Sequence, residues 1–369
     1  MKVAILGSRG VPANYGGFET FAEHLGAGLV EEGVDVSVYC PAYQHYQGDH
    51  YKGIKLIFVK NYEYLFKSRS LRAFANLLYD VVSIVKASLS NSDVIYMLGY
   101  ASGPALIIPR FFGKTIVVNP DGLEWKSKRW GIMAKTWLFL CEWAAARLTN
   151  GLIADAEPIR RHFNNKFAVD PITIQYGAPI FDKCDIEIRR PCDEEYYLAV
   201  ARMVPETSIP LIVQGVLQSK TSRPLIIIGP SPDRKFLEES ILPLVDGERI
   251  RYLGPIYDQD LLLRYRQHAT ALLHGHASDG TNPSLLESMG CGSPVIAIRT
   301  PSNFDVLGDN DDFYFGDQGE LASAICKLEK LDPAAQLRLG ESNRQVVKDR
   351  FSWALCVQRH LQAFADFHR

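Results

Sequence analysis

The chain has 369 residues, long for one compact domain and natural for two. Hydrophobic residues make up 47% and charged residues 22%, an ordinary globular balance, and a formal net charge of −2 excludes a nucleic-acid binder working through bulk positive charge. Seven cysteines are scattered with no Cys-x-x-Cys pair, which points to reduced thiols in a cytoplasmic protein rather than a disulfide frame or a zinc site.

Residues 1–7 read as a first strand and lack the apolar core and cleavage pattern of a signal peptide. No apolar segment reaches the roughly 18 residues needed to cross a bilayer. The longest candidate, 132–146, is broken by Lys135 and Glu142.

Strands are predicted at 3–7, 35–40, 54–59, 94–97, 115–118, 151–154 and 172–175. Helices are predicted between them at 17–32, 70–88, 105–112 and 133–147. A polar link over 181–195 leads to a second series, with strands at 196–200, 224–228, 250–253, 271–273 and 294–298. Its helices are expected at 210–218, 236–244, 258–266 and within 279–298. This order predicts an α/β fold of two doubly wound parallel sheets, with a ligand cleft between the carboxyl ends of both strand sets. The expected domains are 1–185 and 190–350. A last amphipathic helix at 353–367 must pack on something, and the first domain is the candidate.

The densest motif is Asp279-Gly280-Thr281-Asn282-Pro283-Ser284-Leu285-Leu286-Glu287, following the strand that ends at His274-Gly275-His276. Asn282 suits an N-cap and Pro283 the first helical position. Unpaired amides and the helix dipole would then face a bound anion. Glu287, one turn in, would reach the same place and accept from ribose hydroxyls. The alternative is an ordinary βαβ turn with a solvated glutamate.

The first loop, Gly7-Ser8-Arg9-Gly10 through Tyr15-Gly16-Gly17, lacks the Gly-x-Gly-x-x-Gly spacing of a dinucleotide fingerprint. Gly16 and Gly17 would let the backbone approach a phosphate or sugar, or serve only loop conformation. In Asn119-Pro120-Asp121-Gly122-Leu123-Glu124-Trp125-Lys126, Asp121 stands where a cleft carboxylate would orient or deprotonate an acceptor hydroxyl; an Asp-Gly turn is the plain alternative. Arg202, just after the first strand of the second series, would neutralise a departing diphosphate or simply be solvated. The acidic run 309–312 reads as a solvated turn, not a metal site.

In their order and separation, these three motifs make the whole chain resemble GT-B glycosyltransferases of the large retaining family four, nearest the bacterial branch that includes polysaccharide rhamnosyltransferases. The resemblance implies a nucleotide-sugar donor on the second domain and the acceptor on the first. Glu287 matches the second acid of the Glu-x7-Glu motif, which grips the ribose. Position 279 matches the first acid but is Asp, and Thr281, Asn282, Ser284 and Leu285 fall in the segment that holds the diphosphate. Arg202 matches half of an Arg/Lys pair, whose lysine position is Thr207; Arg9 and Lys235 are the candidates to replace it. The implied reaction moves a hexosyl unit, L-rhamnosyl from dTDP-rhamnose, with retention and no metal; a UDP-linked donor is the other choice. A polyprenyl-diphosphate-linked acceptor in cell-surface polysaccharide synthesis is expected.

Two basic-aromatic pieces, 62–74 and 125–130, suggest contact with an anionic membrane surface, peripheral at the inner face of the plasma membrane; a solvated helix face with buried aromatics is the plain alternative. The alternatives are a nucleotide-sugar 2-epimerase of the same architecture and a non-catalytic partner that keeps the fold.

Overall fold

The structure is a computed structural model, and it describes residues 1–13, 17–120, 122, 131–181, 190–277 and 282–369. The chain divides into two compact units, Met1–Tyr176 with Trp353–Arg369, and Gly177–Ser352. The first boundary falls at Tyr176, ahead of the expected residue 185, because Ala178 already pairs with Ser352 and donates its amide to Phe351 O in the second unit.

The first unit is built on β1 (Lys2–Leu6), β2 (Asp35–Pro41), β3 (His50–Tyr51), β4 (Ile54–Val59), β5 (Val94–Leu98), β6 (Thr115–Asn119), β7 (Gly151–Ala154) and β8 (Ile172–Thr173). Their order is β3-β4-β2-β1-β5-β6-β7-β8, parallel except for the antiparallel edge hairpin of β3 and β4. Helices cover both faces, so central strands such as Val94–Leu98 are apolar throughout rather than alternating. Gly17–Glu31 and Trp353–His368 share a core on one face through Phe21, Leu25, Leu29, Val357 and Phe364. Arg69–Leu89, Gly103–Phe111, Ile132–Leu148 and Glu157–Phe167 lie on the other, around Tyr79, Leu106, Cys141 and Phe163.

The second sheet comprises β9 (Tyr197–Val200), β10 (Leu225–Ile228), β11 (Ile250–Tyr252), β12 (Ala271–His274), β13 (Val295–Ile298) and β14 (Tyr314–Phe315), in the order β11-β10-β9-β12-β13-β14, all parallel. Ile209–Ser219 and Gln318–Lys330 pack on one face, where a Cβ at Gly215 would sit 2.6 Å from Leu321. Pro283–Gly290 and Pro333–Arg350 pack on the other through Leu285, Leu286, Met289 and Val347. In each unit the winding reverses beside the first strand, between β1 and β5 and between β9 and β12. The carboxyl ends of such strand pairs are where an open α/β sheet leaves a crevice.

Several elements depart from the expected pattern. The expected helix 236–244 is broken into Arg234–Phe236, Leu237–Ile241 and Leu242–Leu244, because Pro243 has no N–H to continue it. Residues 105–112 form a 3-10 stretch, Gly103–Ile107, and one turn of α-helix, Ile108–Phe111. Glu157–Phe167, Gln318–Lys330 and Pro333–Arg350 are helices that the pattern left unassigned.

Candidate active site

The carboxyl ends of β9 and β12 meet at the second reversal point. β12 ends in buried His274, and Gly275 follows because nothing larger fits: a Cβ there would stand 2.4 Å from Thr207 O. The chain reaches Asn282, whose side chain caps Pro283–Gly290 by accepting the Ser284 amide at 2.9 Å. Ser284 Oγ donates to Val200 O at 3.2 Å, tying the helix start to the end of β9. Arg202 is exposed two residues further on.

The capping corrects one expectation. The Ser284 amide is taken by Asn282 Oδ1, and the Leu285 amide bonds Asn282 O at 3.1 Å, so neither is an unpaired donor awaiting an anion. Leu285 itself is fully buried and serves the core. An anion here would meet the helix dipole and Arg202 rather than those two amides.

Glu287 has a partner the sequence did not suggest. Arg266, at the end of the Gln259–His268 helix, donates from Nη2 to Glu287 Oε2 and lies 3.5 Å from Ser284 Oγ. Ser293 Oγ holds the Arg266 carbonyl at 2.6 Å, and among the described residues Arg266 Nε is buried without an acceptor. The guanidinium is almost wholly buried while the Glu287 side chain stays 26% exposed, so one end of the carboxylate is anchored and the other remains open.

Two histidines complete this edge. Burial pushes His274 down to about 3; burial first, and then the Arg202 charge, push His276 down to about 4. Both are neutral imidazoles near pH 7, able to donate or accept but not to supply charge. Thr207, at the expected lysine position, is buried, and its hydroxyl faces the Arg202 carbonyl at 2.9 Å and the Val204 carbonyl at 2.7 Å. Lys235 is exposed, 4.0 Å from Glu239 in the segment after β10. In the acidic run, Asp311 pairs with Arg299 at 2.8 Å and Asp312 with Lys327 at 2.6 Å.

At the first unit's reversal point, Gly7 takes φ +89° and its absent Cβ would lie 2.1 Å from Leu98 O, so only glycine lets β1 and β5 close there. The Arg9 amide donates to Glu19 at 2.6 Å, and its guanidinium lies 3.8 Å from Glu63. Asp80 is buried behind this pair; burial raises it to about 7 against the opposing pull of Arg9. Arg9 therefore has structural acids around it in its own unit. Gly17 opens its helix, and an added Cβ there meets nothing within 4 Å. Gly16, Asp121, Asp279, Thr281 and the 125–130 piece lie outside the described residues. So Arg202, Asn282, Ser284, Leu285 and Glu287 are gathered at one edge, with Arg266, His274 and His276 as additions.

Residues 1–179 match the family described as "Domain of unknown function (DUF1972)", and residues 182–346 match "Glycosyl transferases group 1". The O-antigen chain mannosyltransferase B of Escherichia coli is 26% identical over 177 residues, a stretch that takes in 46% of this chain and only 45% of that protein. Among solved structures, a sucrose-phosphate synthase from Thermosynechococcus elongatus superposes with a TM-score of 0.81 at 19% identity, covering 99% of this chain and 98% of the other. Anabaena HepE, in complex with UDP and glucose, gives 0.74 at 17% identity, covering 99% and 100%.

Proposed function

The chain has the two-domain GT-B fold, and from that premise we propose that it is a retaining glycosyltransferase moving a hexosyl unit from a nucleotide sugar to a lipid-linked acceptor in cell-surface polysaccharide synthesis. The observation that carries the reading is Glu287, presented with one carboxylate end open, beside Ser284 and the β9–β12 reversal point. That is where a nucleotide's ribose would rest, with its diphosphate toward Arg202 and the helix start. Support comes from the group 1 match over 182–346 and from a relative structure holding UDP and glucose.

In the proposed step, the bond from the anomeric carbon to the diphosphate oxygen breaks as the acceptor hydroxyl oxygen bonds the same face of that carbon. The hydroxyl proton passes to the departing diphosphate. Arg202 offsets the charge that grows there, and Asp121 orients the acceptor hydroxyl. The donor is dTDP-rhamnose, and the acceptor is a polyprenyl-diphosphate-linked sugar at an anionic membrane surface. The mannosyltransferase likeness favours one competing donor, a nucleotide-linked mannose.

The test is a donor-turnover assay with dTDP-rhamnose, GDP-mannose and UDP-glucose, each with and without acceptor. Transfer only in the presence of acceptor is expected. Consumption without acceptor indicates epimerase chemistry, and no turnover with any donor indicates a non-catalytic protein. Glu287→Ala should abolish donor binding, and Asp121→Ala should spare binding while cutting turnover. Normal donor affinity in Glu287→Ala would displace the site.

A further inference from the structure

Three of the helical segments on one face of the first sheet bury a normal inner surface, yet their outer surface is apolar as well. In Arg69–Leu89, the i, i+3, i+7, i+11 row of Leu71, Phe74, Leu78 and Val82 is exposed, with Phe74 at 63%. Beside it, Phe111 stands 79% exposed at the end of the Gly103–Phe111 segment. Next along, Ile132–Leu148 exposes Ile132, Leu140 and Met133, the last at 89%. The three are neighbours: Arg69–Leu89 packs on Gly103–Phe111, which packs on Ile132–Leu148. A soluble helix normally turns such a row inward.

Their charges are as one-sided as their apolar groups. The exposed ionic residues include Arg72, Lys86, Arg110 and Arg147, while both acids in these helices, Asp80 and Glu142, are buried. We infer that the outer surface of these three helical segments is a docking surface for an anionic lipid bilayer. Apolar side chains at the acyl boundary with arginines and lysines at the headgroups are the composition an interfacial helix layer needs. A second copy of this chain is the poorer occupant, because an isologous pairing would set these cations against their own copies. No helix among the described residues is long and apolar enough to cross a membrane, so the contact would be lateral. The purpose of such a surface rests on the lipid-linked acceptor proposed above; its geometry does not.

The test pellets the full chain with vesicles of phosphatidylcholine alone and of equal parts phosphatidylcholine and phosphatidylglycerol. One variant combines Phe74→Ser, Phe111→Ser and Met133→Ser; a second combines Arg72→Glu and Arg110→Glu and keeps the proposal testable where the first fails to fold. The protein is expected to favour the mixed vesicles by at least about tenfold, and each folded variant to lose about tenfold or more of that binding. No pelleting with mixed vesicles, variants that pellet like the parent chain, or a solution dimer dissolved by the triple substitution would each overturn the proposal. Calorimetry with UDP and dTDP on the same proteins separates the two readings. Variants that bind nucleotide but not vesicles support the docking surface. A parent chain that binds vesicles but no nucleotide sinks the transferase and leaves the surface standing.

Discussion

Arg266 approaches Glu287 from a neighbouring helix with its guanidinium out of water, so the carboxylate is set in place before any ligand arrives. Without it, a partly exposed glutamate would sample its rotamers freely and pay that ordering cost on binding. Arg266→Met is therefore expected to weaken UDP or dTDP binding by about tenfold to a hundredfold, about 1.4–2.8 kcal/mol. Arg266→Lys, which keeps the charge but not the planar fork, should recover only part of the loss. Calorimetric titration checks both, and an unchanged Kd in Arg266→Met would remove Arg266 from this role. Glu287 was legible in the sequence because a cap, a proline and one helical turn fix its place locally. Arg266 was not, since it stands 21 residues away on another helix and looks like an ordinary basic last turn. The paired amides of Ser284 and Leu285 were equally hidden: the same Asn282 that marks the helix start also consumes the donors that the start was expected to offer.

Among elements, the strands were the legible part, because burial on both faces forces continuous apolar runs such as Leu225–Ile228. Of the helices missed, only Pro333–Arg350, which buries just Gly340 and Val347, lacks apolar contrast. Glu157–Phe167 and Gln318–Lys330 carried a readable helical row, Ile159, Phe163 and Phe167 in one and Leu321, Ile325 and Leu328 in the other. Close helix approach was invisible. Gly28 looks like a poor helix residue, yet its missing Cβ would fall 2.4 Å from Val357 Cγ2, so glycine is what lets Gly17–Glu31 and Trp353–His368 touch. Gly28→Ala improves intrinsic helix propensity by about 1 kcal/mol but overpacks this seam, at a cost of about 1–3 kcal/mol. A net loss is expected, read as a lower urea midpoint of tryptophan emission. The opposite sign would mean that the seam yields easily. Asp258 caps the helix that carries Arg266 by accepting from the Asp260 and Leu261 amides at 3.0 and 3.1 Å. Asp258→Ala should cost about 1 kcal/mol in the second unit's stability, measured by circular dichroism.

For the molecule as a whole, the two units carry separate buried histidines, and this gives acid stability a form that can be resolved unit by unit. In the first, His360 donates from Nδ1 to Cys356 O at 2.8 Å, which leaves Nε2 to accept from Tyr96 OH at 3.1 Å. Protonating Nε2 would remove that acceptor, and burial pushes the group down to about 4. In the second, burial holds His274 at about 3. Both folded values lie below the ordinary 6.5, so the unfolded chain takes up these protons first. The stability they contribute is whole above about pH 6.5 and drains as pH falls, by up to about 1.4 kcal/mol per pH unit for each histidine. All five tryptophans, at positions 125, 130, 137, 143 and 353, belong to the sequence of the first unit, so their emission reports that unit while circular dichroism reports both. Between pH 7 and pH 5 the second unit should lose thermal stability, whereas in the first unit Asp80, raised by burial to about 7, takes up its proton in the folded state and offsets the His360 loss, so the emission transition should change little. His360→Gln, which removes the titrating ring from the first unit, leaves Asp80 unopposed, so the emission transition should rise as pH falls while the second unit's acid sensitivity stays in place. Equal steepness of the emission transition in the parent chain and in His360→Gln would show that other groups govern the acid response of the first unit.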